Sequence, residues 1–220
     1  MKTAIEYIKE AWGIYTKKEN FIFFAKIMAV LTIASFSIGF VTSYFFPEDY
    51  INNIDVSNIP VVIGFVLASI LAIVVGIWSQ STTYFSILKI GKSEKEIFTL
   101  GYKNIRKFFL ISAVYALIIF FGVILLIIPT VIFGVWYSFS VLLVLDKNME
   151  VGEALTKSKS MVKDRFFKIF GRYIVFGLFG LVVSIVVSIV PYAGSYISGF
   201  LAPLFMLPGF LLYRDLSINN

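Results

Sequence analysis

The stretch Gly122–Arg172, GVILLIIPTVIFGVWYSFSVLLVLDKNMEVGEALTKSKSMVKDRFFKIFGR, decides the fold. An apolar run reaches Ile128, Pro129 withholds the amide that a continuing helix needs, and a second run from Thr130 to Leu145 returns. Phe108 to Leu145 is 38 residues, enough for two helical crossings of about 30 Å of hydrocarbon with almost no loop between them. Polar residues resume at Asp146. Val151, Leu155, Ser158, Val162, Phe166 and Ile169 then follow at helical spacings, while Lys157, Lys159, Lys163, Arg165, Lys168 and Arg172 mostly lie off that line. A hairpin of two spans with a basic amphipathic segment beside it is therefore the unit to look for elsewhere.

Composition supports a membrane chain throughout. Of 220 residues, 59% are hydrophobic and only 15% charged, against about 25% charged in soluble domains. Mean hydropathy is +0.91. Cysteine and histidine are absent, which removes disulfides, an imidazole base and Cys/His metal sites.

Residues 1–20 place Ile5, Ile8, Trp12 and Tyr15 at helical spacing with Lys2, Lys9, Lys17 and Lys18 largely off that face, the pattern of a helix lying in the interface. A cleaved signal peptide fits this stretch poorly, because Glu6, Glu10 and Glu19 precede an overlong apolar run. Phe21 to Phe46 reads as a first span, with Lys26 one turn inside its start and able to snorkel back to the headgroups. Val61 to about Gln80 reads as a second, followed by a polar tail. Ser93-Glu94-Lys95-Glu96 has capping-box spacing. A helix from there feeds the span that starts at Phe108. Tyr173–Val190 and Tyr196–Tyr213 complete six spans, with Pro191–Ser195 between them.

The expected fold is all-α: six transmembrane helices as three hairpins, each preceded by a cytoplasmic amphipathic helix, in one membrane domain over 1–220. Its parts are an interfacial helix at 1–20, hairpins within 21–89, 93–145 and 150–213, and a tail at 214–220. The three starts, near Met1, Ser93 and Glu150, suggest an internal repeat. Simple alternation of six spans gives the same pattern. With both termini cytoplasmic, all 19 Lys and Arg lie on or snorkel to one side, and Glu48, Asp49 and Asp55 lie in an external loop without basic residues.

Gly122, Leu125-Leu126-Ile127-Ile128-Pro129, Gly134, Ser138, Asp146, Glu153-Ala154-Leu155, Ser158, Arg165-Phe166-Phe167 and Phe170-Gly171 together resemble a known signature. It is that of the membrane domain attached to some bacterial glycerophosphoryl diester phosphodiesterases, and of related uncharacterised six-span proteins. Leu211-Leu212-Tyr213-Arg214-Asp215-Leu216 resembles the usual ending of that family. The chain departs from the pattern at Thr130, where glycine commonly follows the proline, and at Lys159, where an aromatic residue is common. The resemblance implies the six-span fold. It implies no phosphodiesterase activity, since the soluble catalytic barrel is missing.

Several residues are candidates for function. Gly64, Ala68, Ala72 and Gly76 form a small-residue line in the second span, which suits helix packing. Gln80 extends it, and Gln80 and Thr83 are candidates for binding a polar headgroup or for bonding a neighbouring helix. Gly194, Ser198 and Ala202 repeat the small line in the sixth span, where Pro203 and Pro208 free the carbonyls of Gly199 and Leu204. Lys103, Arg106, Lys107, Lys157, Lys163, Lys168 and Arg172 form a basic collar suited to anionic lipid headgroups, each contributing about 1 kcal/mol near a charged surface. Nucleic acid is not an expected partner, because the charge is dispersed among acidic residues. A partner protein or a second copy remains open.

No catalytic residue, cofactor or metal is expected: the spans offer no nucleophile–base pair, and Lys26 is their one ionisable group. Two functions follow. The first is a non-enzymatic scaffold, accessory or lipid-interacting module in the cell membrane. The second is a transporter or channel for small or lipidic solutes. A hydrated cavity reaching Gln80 or the Gly199 carbonyl from one face favours the second, and a dry, tightly packed interior with hydrophobic lateral grooves favours the first.

Overall fold

In the computed structural model, residues 1–46, 59–125, 127–189 and 194–218 are described. The acidic loop holding Glu48, Asp49 and Asp55, most of the turn after Ile189, and Asn219-Asn220 lie outside them. Every element among the described residues is helical: α1 (Ala4–Thr16), α2 (Lys18–Phe45), α3 (Ile59–Leu88), α4 (Glu94–Lys103), α5 (Ile105–Leu125), α6 (Ile127–Trp136), α7 (Ser140–Lys147), α8 (Val151–Lys163), α9 (Phe166–Ser188), α10 (Gly194–Phe200) and α11 (Ala202–Ile218). Six stretches are long and apolar enough to cross a membrane: α2, α3, α5, α6–α7 together, α9, and α10–α11 together.

Several boundaries move from where the sequence placed them. α3 runs on as one helix to Leu88, so the polar tail of the second span is helical, and Ser81, Thr82, Thr83 and Ser86 within it are buried. Three of these hydroxyls donate back to carbonyls of their own helix, Thr82 to Trp78 at 2.8 Å, Thr83 to Ser79 at 2.9 Å and Ser86 to Thr83 at 2.7 Å, whereas Ser81 has no partner among the described residues. Pro129 sits inside the first turn of α6, where its missing amide costs nothing. The close approach there belongs to Gly122, since a Cβ on it would lie 3.1 Å from the Thr130 Cα. The fourth span is interrupted between α6 and α7, and the sixth at Leu201, between Gly199 and Pro203 as the missing amide of Pro203 implies, whereas Pro208 lies inside α11 without breaking it. Residues Arg214–Ile218 continue α11 instead of forming a tail.

The face of α1 that packs inward is also not the one its strongest apolar residues suggest. Tyr7, Ala11 and Tyr15 are buried, whereas Ile5 and Trp12 are more than half exposed. In a lipid setting the greasiest face has no reason to turn inward, because hydrocarbon solvates it as well as protein does. Close packing and hydrogen bonding choose the buried face instead.

The three short helices share one register. Their N-caps are Thr3, Ser93 and Glu150. Counting from each, an acidic residue follows at the third place (Glu6, Glu96, Glu153), a buried residue at the fourth (Tyr7, Ile97, Ala154), and a small buried residue at the eighth (Ala11, Gly101, Ser158). The eighth position faces a neighbouring stretch, most closely at Gly101, whose would-be Cβ meets Thr82. α1 packs on α11, α4 on α3, and α8 on α7. Each short helix thus lies against the stretch that comes just before it in the chain, and the first lies against the last.

Buried side chains gather at the end of the bundle where these short helices lie. Phe24, Ile27 and Leu31 of α2, Phe85 and Ile87 of α3, Leu143 to Leu145 of α7, and Leu204, Leu207, Leu211 and Leu212 of α11 form that core. The opposite halves expose Phe36, Phe40, Leu67, Phe120, Leu181 and Ile185. One end is tightly packed and the other presents apolar surface.

Candidate functional site

At the boundary between these halves, α2, α3 and the α10–α11 break border an open cavity of about 440 Å³. Buried Met28, Leu31 and Thr83 line its deep side, and Ser35, Phe36 and Gln80 are exposed at its mouth. Thr32, Ser79, Gly199 and Ala202 complete the wall. The break at Leu201 lies between Gly199 and Ala202, both part of that wall. Gly199 faces Thr32 there, with a would-be Cβ 3.8 Å from the threonine Oγ1.

Four polar side chains of this cavity differ from most other hydroxyls in the spans, although Ser81, outside it, is also without a partner among the described residues. Ser37, Thr42, Ser69 and Ser198 each bond a carbonyl of their own helix. The side chains of Thr32, Ser35, Ser79 and Gln80 have no hydrogen-bond partner among the described residues. An unpaired polar group surrounded by hydrocarbon costs several kcal/mol, so this space favours water or a polar guest. No lining residue is charged. The nearest cation on α2, Lys26, turns away to Glu94 at 3.0 Å.

Sequence reasoning singled out Gln80, Thr83 and the Gly199 carbonyl separately, and the fold brings them to one cavity. Ala202 joins them. Thr32, Ser35 and Ser79 were missed. Their signal was present as hydroxyls one turn apart on α2 opposite a polar stretch of α3, but nothing local shows which two helices will face each other.

The small-residue line of α3 does not form one seam within the chain. Gly64 meets the Phe46 ring at 3.4 Å from its would-be Cβ, whereas Gly76 has nothing within 4 Å and Ala72 is exposed. Ala68 is half-buried. In the sixth span Gly194 packs closely, 3.0 Å from the Val187 carbonyl oxygen, and Ser198 donates to the Gly194 carbonyl at 2.9 Å.

The ends of α3, α7 and α11 converge on Asp146. Tyr213 donates to it at 3.0 Å, and Lys89 and Lys147 each approach within 3.7 Å. Around this centre α1 is tied to α11. The Tyr7 hydroxyl donates to Asp215 at 2.8 Å, Arg214 pairs with Glu10 at 3.0 Å, and the Tyr15 hydroxyl donates to the Phe200 carbonyl at the helix break, also at 3.0 Å. Burial, reinforced by the Asp215 carboxylate, pushes the Tyr7 hydroxyl up to about 12. The folded chain therefore holds this proton more tightly than the unfolded chain, whose tyrosine titrates near 10. The resulting stability is fully present below pH 10 and is lost as pH rises through 12. Thermal melts at stepped pH should show a decline across that window that Tyr7→Phe flattens, and an identical decline in the variant would refute the assignment.

The basic collar divides in two. Lys107 bonds the Asn148 side chain, and Arg172 donates to the Lys2 and Lys168 carbonyls. Lys103, Arg106, Lys157, Lys163 and Lys168 make no ion pair among the described residues. Lys159 stacks over Trp136 at 4.4 Å from the ring centroid, a cation–π contact.

No family model, curated protein or solved structure matches this chain. Its function is therefore argued from the geometry alone.

Proposed function

We propose that the chain is a non-enzymatic, multi-pass protein of the cell membrane that binds and passes an uncharged solute or lipid. The cavity carries this reading. It reaches both Gln80 and Gly199, and its unpaired polar groups favour a hydrated or ligand-filled space, which supports transport over a dry scaffold. Each of the three units would be a short helix followed by a hairpin of spans, and the common register of the N-caps and buried positions supports that repeat. The resemblance to the phosphodiesterase-associated membrane domain fits the same architecture.

In this reading α1, α4 and α8 lie at the cytoplasmic surface with both termini. The free cations Lys103, Arg106, Lys157, Lys163 and Lys168 meet anionic headgroups. Exposed Trp12 and Tyr102, at matching positions of α1 and α4, suit the headgroup level, where amphipathic rings are favoured. A partner protein or second copy would dock on the apolar surface that the chain leaves exposed.

Two measurements test this. The chain has no cysteine, so Lys103→Cys and Lys163→Cys give single labelling sites. Both should resist an impermeant thiol reagent in intact cells and react after permeabilisation. Labelling from outside would overturn the orientation. In proteoliposomes, Gln80→Leu should slow flux of an uncharged solute about tenfold, the equivalent of one well-made hydrogen bond. Unchanged flux, or no protein-dependent flux of any uncharged solute, would return the scaffold reading to first place.

A further inference from the structure

A second cavity, of about 200 Å³, lies between α3, α7, α9 and α11. It shares two helices with the first: Tyr84 stands one turn after Gln80 on α3, and Met206 one turn after Ala202 on α11. Its chemistry is different. Ile87, Leu142, Phe176, Phe205, Met206 and Phe210 supply an apolar wall, and every lining residue is buried or half-buried. None is charged, so an ionic group entering would lose its hydration with nothing to replace it. Apolar cavities of this order stay dry and take up small hydrocarbons.

Three hydroxyl-bearing residues interrupt that apolar lining. Ser138 donates to the Val135 carbonyl at 2.9 Å, and the Tyr173 hydroxyl lies beside Ser138. The Tyr84 hydroxyl makes no hydrogen bond among the described residues, and unlike the Ser81 hydroxyl it is not sealed off by surrounding atoms. A phenol both donates and accepts, and burying it with neither role filled costs free energy. One oxygen acceptor on a guest removes that cost, while a hydrocarbon body fills the remaining space. A lone water satisfies Tyr84 but finds too few other polar partners along this wall. Room for the body comes from Gly209 of α11, where nothing lies within 4 Å of a would-be Cβ.

We infer that this second cavity binds an uncharged amphiphile, a compact hydrocarbon body carrying one alcohol or carbonyl oxygen, with that oxygen accepting from Tyr84 and the body beside Gly209. That chemistry is shared by the polar end of a neutral membrane lipid and by a free alcohol. The site is separate from the cavity that carries the transport reading, so either can fail without the other.

The test is photolabelling of the full chain in nanodiscs by a diazirine-bearing octanol and by the matching diazirine-bearing octane, with adducts mapped by mass spectrometry. Alcohol adducts should concentrate on Tyr84 and on the segment from Phe205 to Phe210. Octanol should compete them away at a membrane mole fraction about tenfold below that needed with octyl sulfate or octyltrimethylammonium. Gly209→Phe should abolish these adducts by filling the space, whereas Gly209→Ala, favoured by helix propensity, should keep them. Tyr84→Phe retains the ring and carries the test even if Gly209→Phe fails to fold. It should raise the octanol needed by roughly threefold to tenfold, as one lost hydrogen bond implies, and leave octane labelling unchanged. Competition by diacylglycerol as well as octanol identifies a lipid as the source, and competition by octanol alone identifies a free alcohol; either supports the proposal. Adducts scattered over the lipid-facing surface, equal competition by the charged amphiphiles, or an unchanged octanol requirement in Tyr84→Phe overturns it.

Discussion

Gly101→Ala should destabilise the protein by about 1–3 kcal/mol, and Gly101→Val by more. A Cβ on Gly101 would lie 2.1 Å from the Thr82 Oγ1, 2.9 Å from its Cα and 3.0 Å from its Cβ. Trimming the threonine side chain does not relieve this, because the Thr82 Cα is backbone. Helix α4 would have to lift off α3, losing the burial of Ile97 and the Phe98–Trp78 ring contact at 5.9 Å. Gly13→Ala supplies the opposite sign. Nothing lies within 4 Å of its would-be Cβ, so alanine there should be neutral or stabilising by up to about 1 kcal/mol through helix propensity. Thermal unfolding in one detergent, read by circular dichroism, compares the two. Equal melting points for Gly101→Ala and the parent would refute the close-packing account of the eighth position after the N-cap.

Ser158→Ala tests the same position in α8 by a different mechanism. The Ser158 side chain is fully buried. Its hydroxyl donates to the Trp136 carbonyl at 2.7 Å and accepts from the Phe139 amide at 3.2 Å. Those two backbone groups flank the break between α6 and α7, where the helical ladder cannot serve them. Removing the hydroxyl leaves both unpaired in an apolar setting, at about 1–3 kcal/mol for each group left without a partner. Ser160→Ala is the control. Its hydroxyl donates to the Lys157 carbonyl on an exposed face, and its loss should change stability by less than about 0.5 kcal/mol. Amide exchange at Phe139 separates lost hydrogen bonding from a general loss of packing, since it should accelerate in Ser158→Ala alone. If Phe139 exchange is unchanged, Ser158 is not the group that holds this break together.

These two residues show how much was legible beforehand. Ser158 was marked by its spacing with Val151, Leu155 and Val162, so its inward direction was readable from helical periodicity. What it bonds was not, because Phe139 and Trp136 become its partners only once α8 folds back on α6 and α7. Gly101 carried no local signal, as glycine within a short helix reads as a weakness until Thr82 is placed against it. Ile5 and Trp12 misled for a related reason. Water would have driven them inward, but lipid does not, and the tyrosines with partners at Asp215 and Phe200 were buried instead.

The sequence by itself determined the membrane class, the helical composition and the six apolar stretches able to cross a bilayer. Hydrocarbon admits helices because their backbone bonds close within the segment, and length and hydropathy are local quantities. Tertiary structure decided which faces pack, where the fourth span breaks, and that Gln80, Thr83 and Gly199 share one cavity. Those outcomes depend on shape and hydrogen-bond matching between distant segments, which a bilayer leaves open because it rewards no apolar face for turning inward.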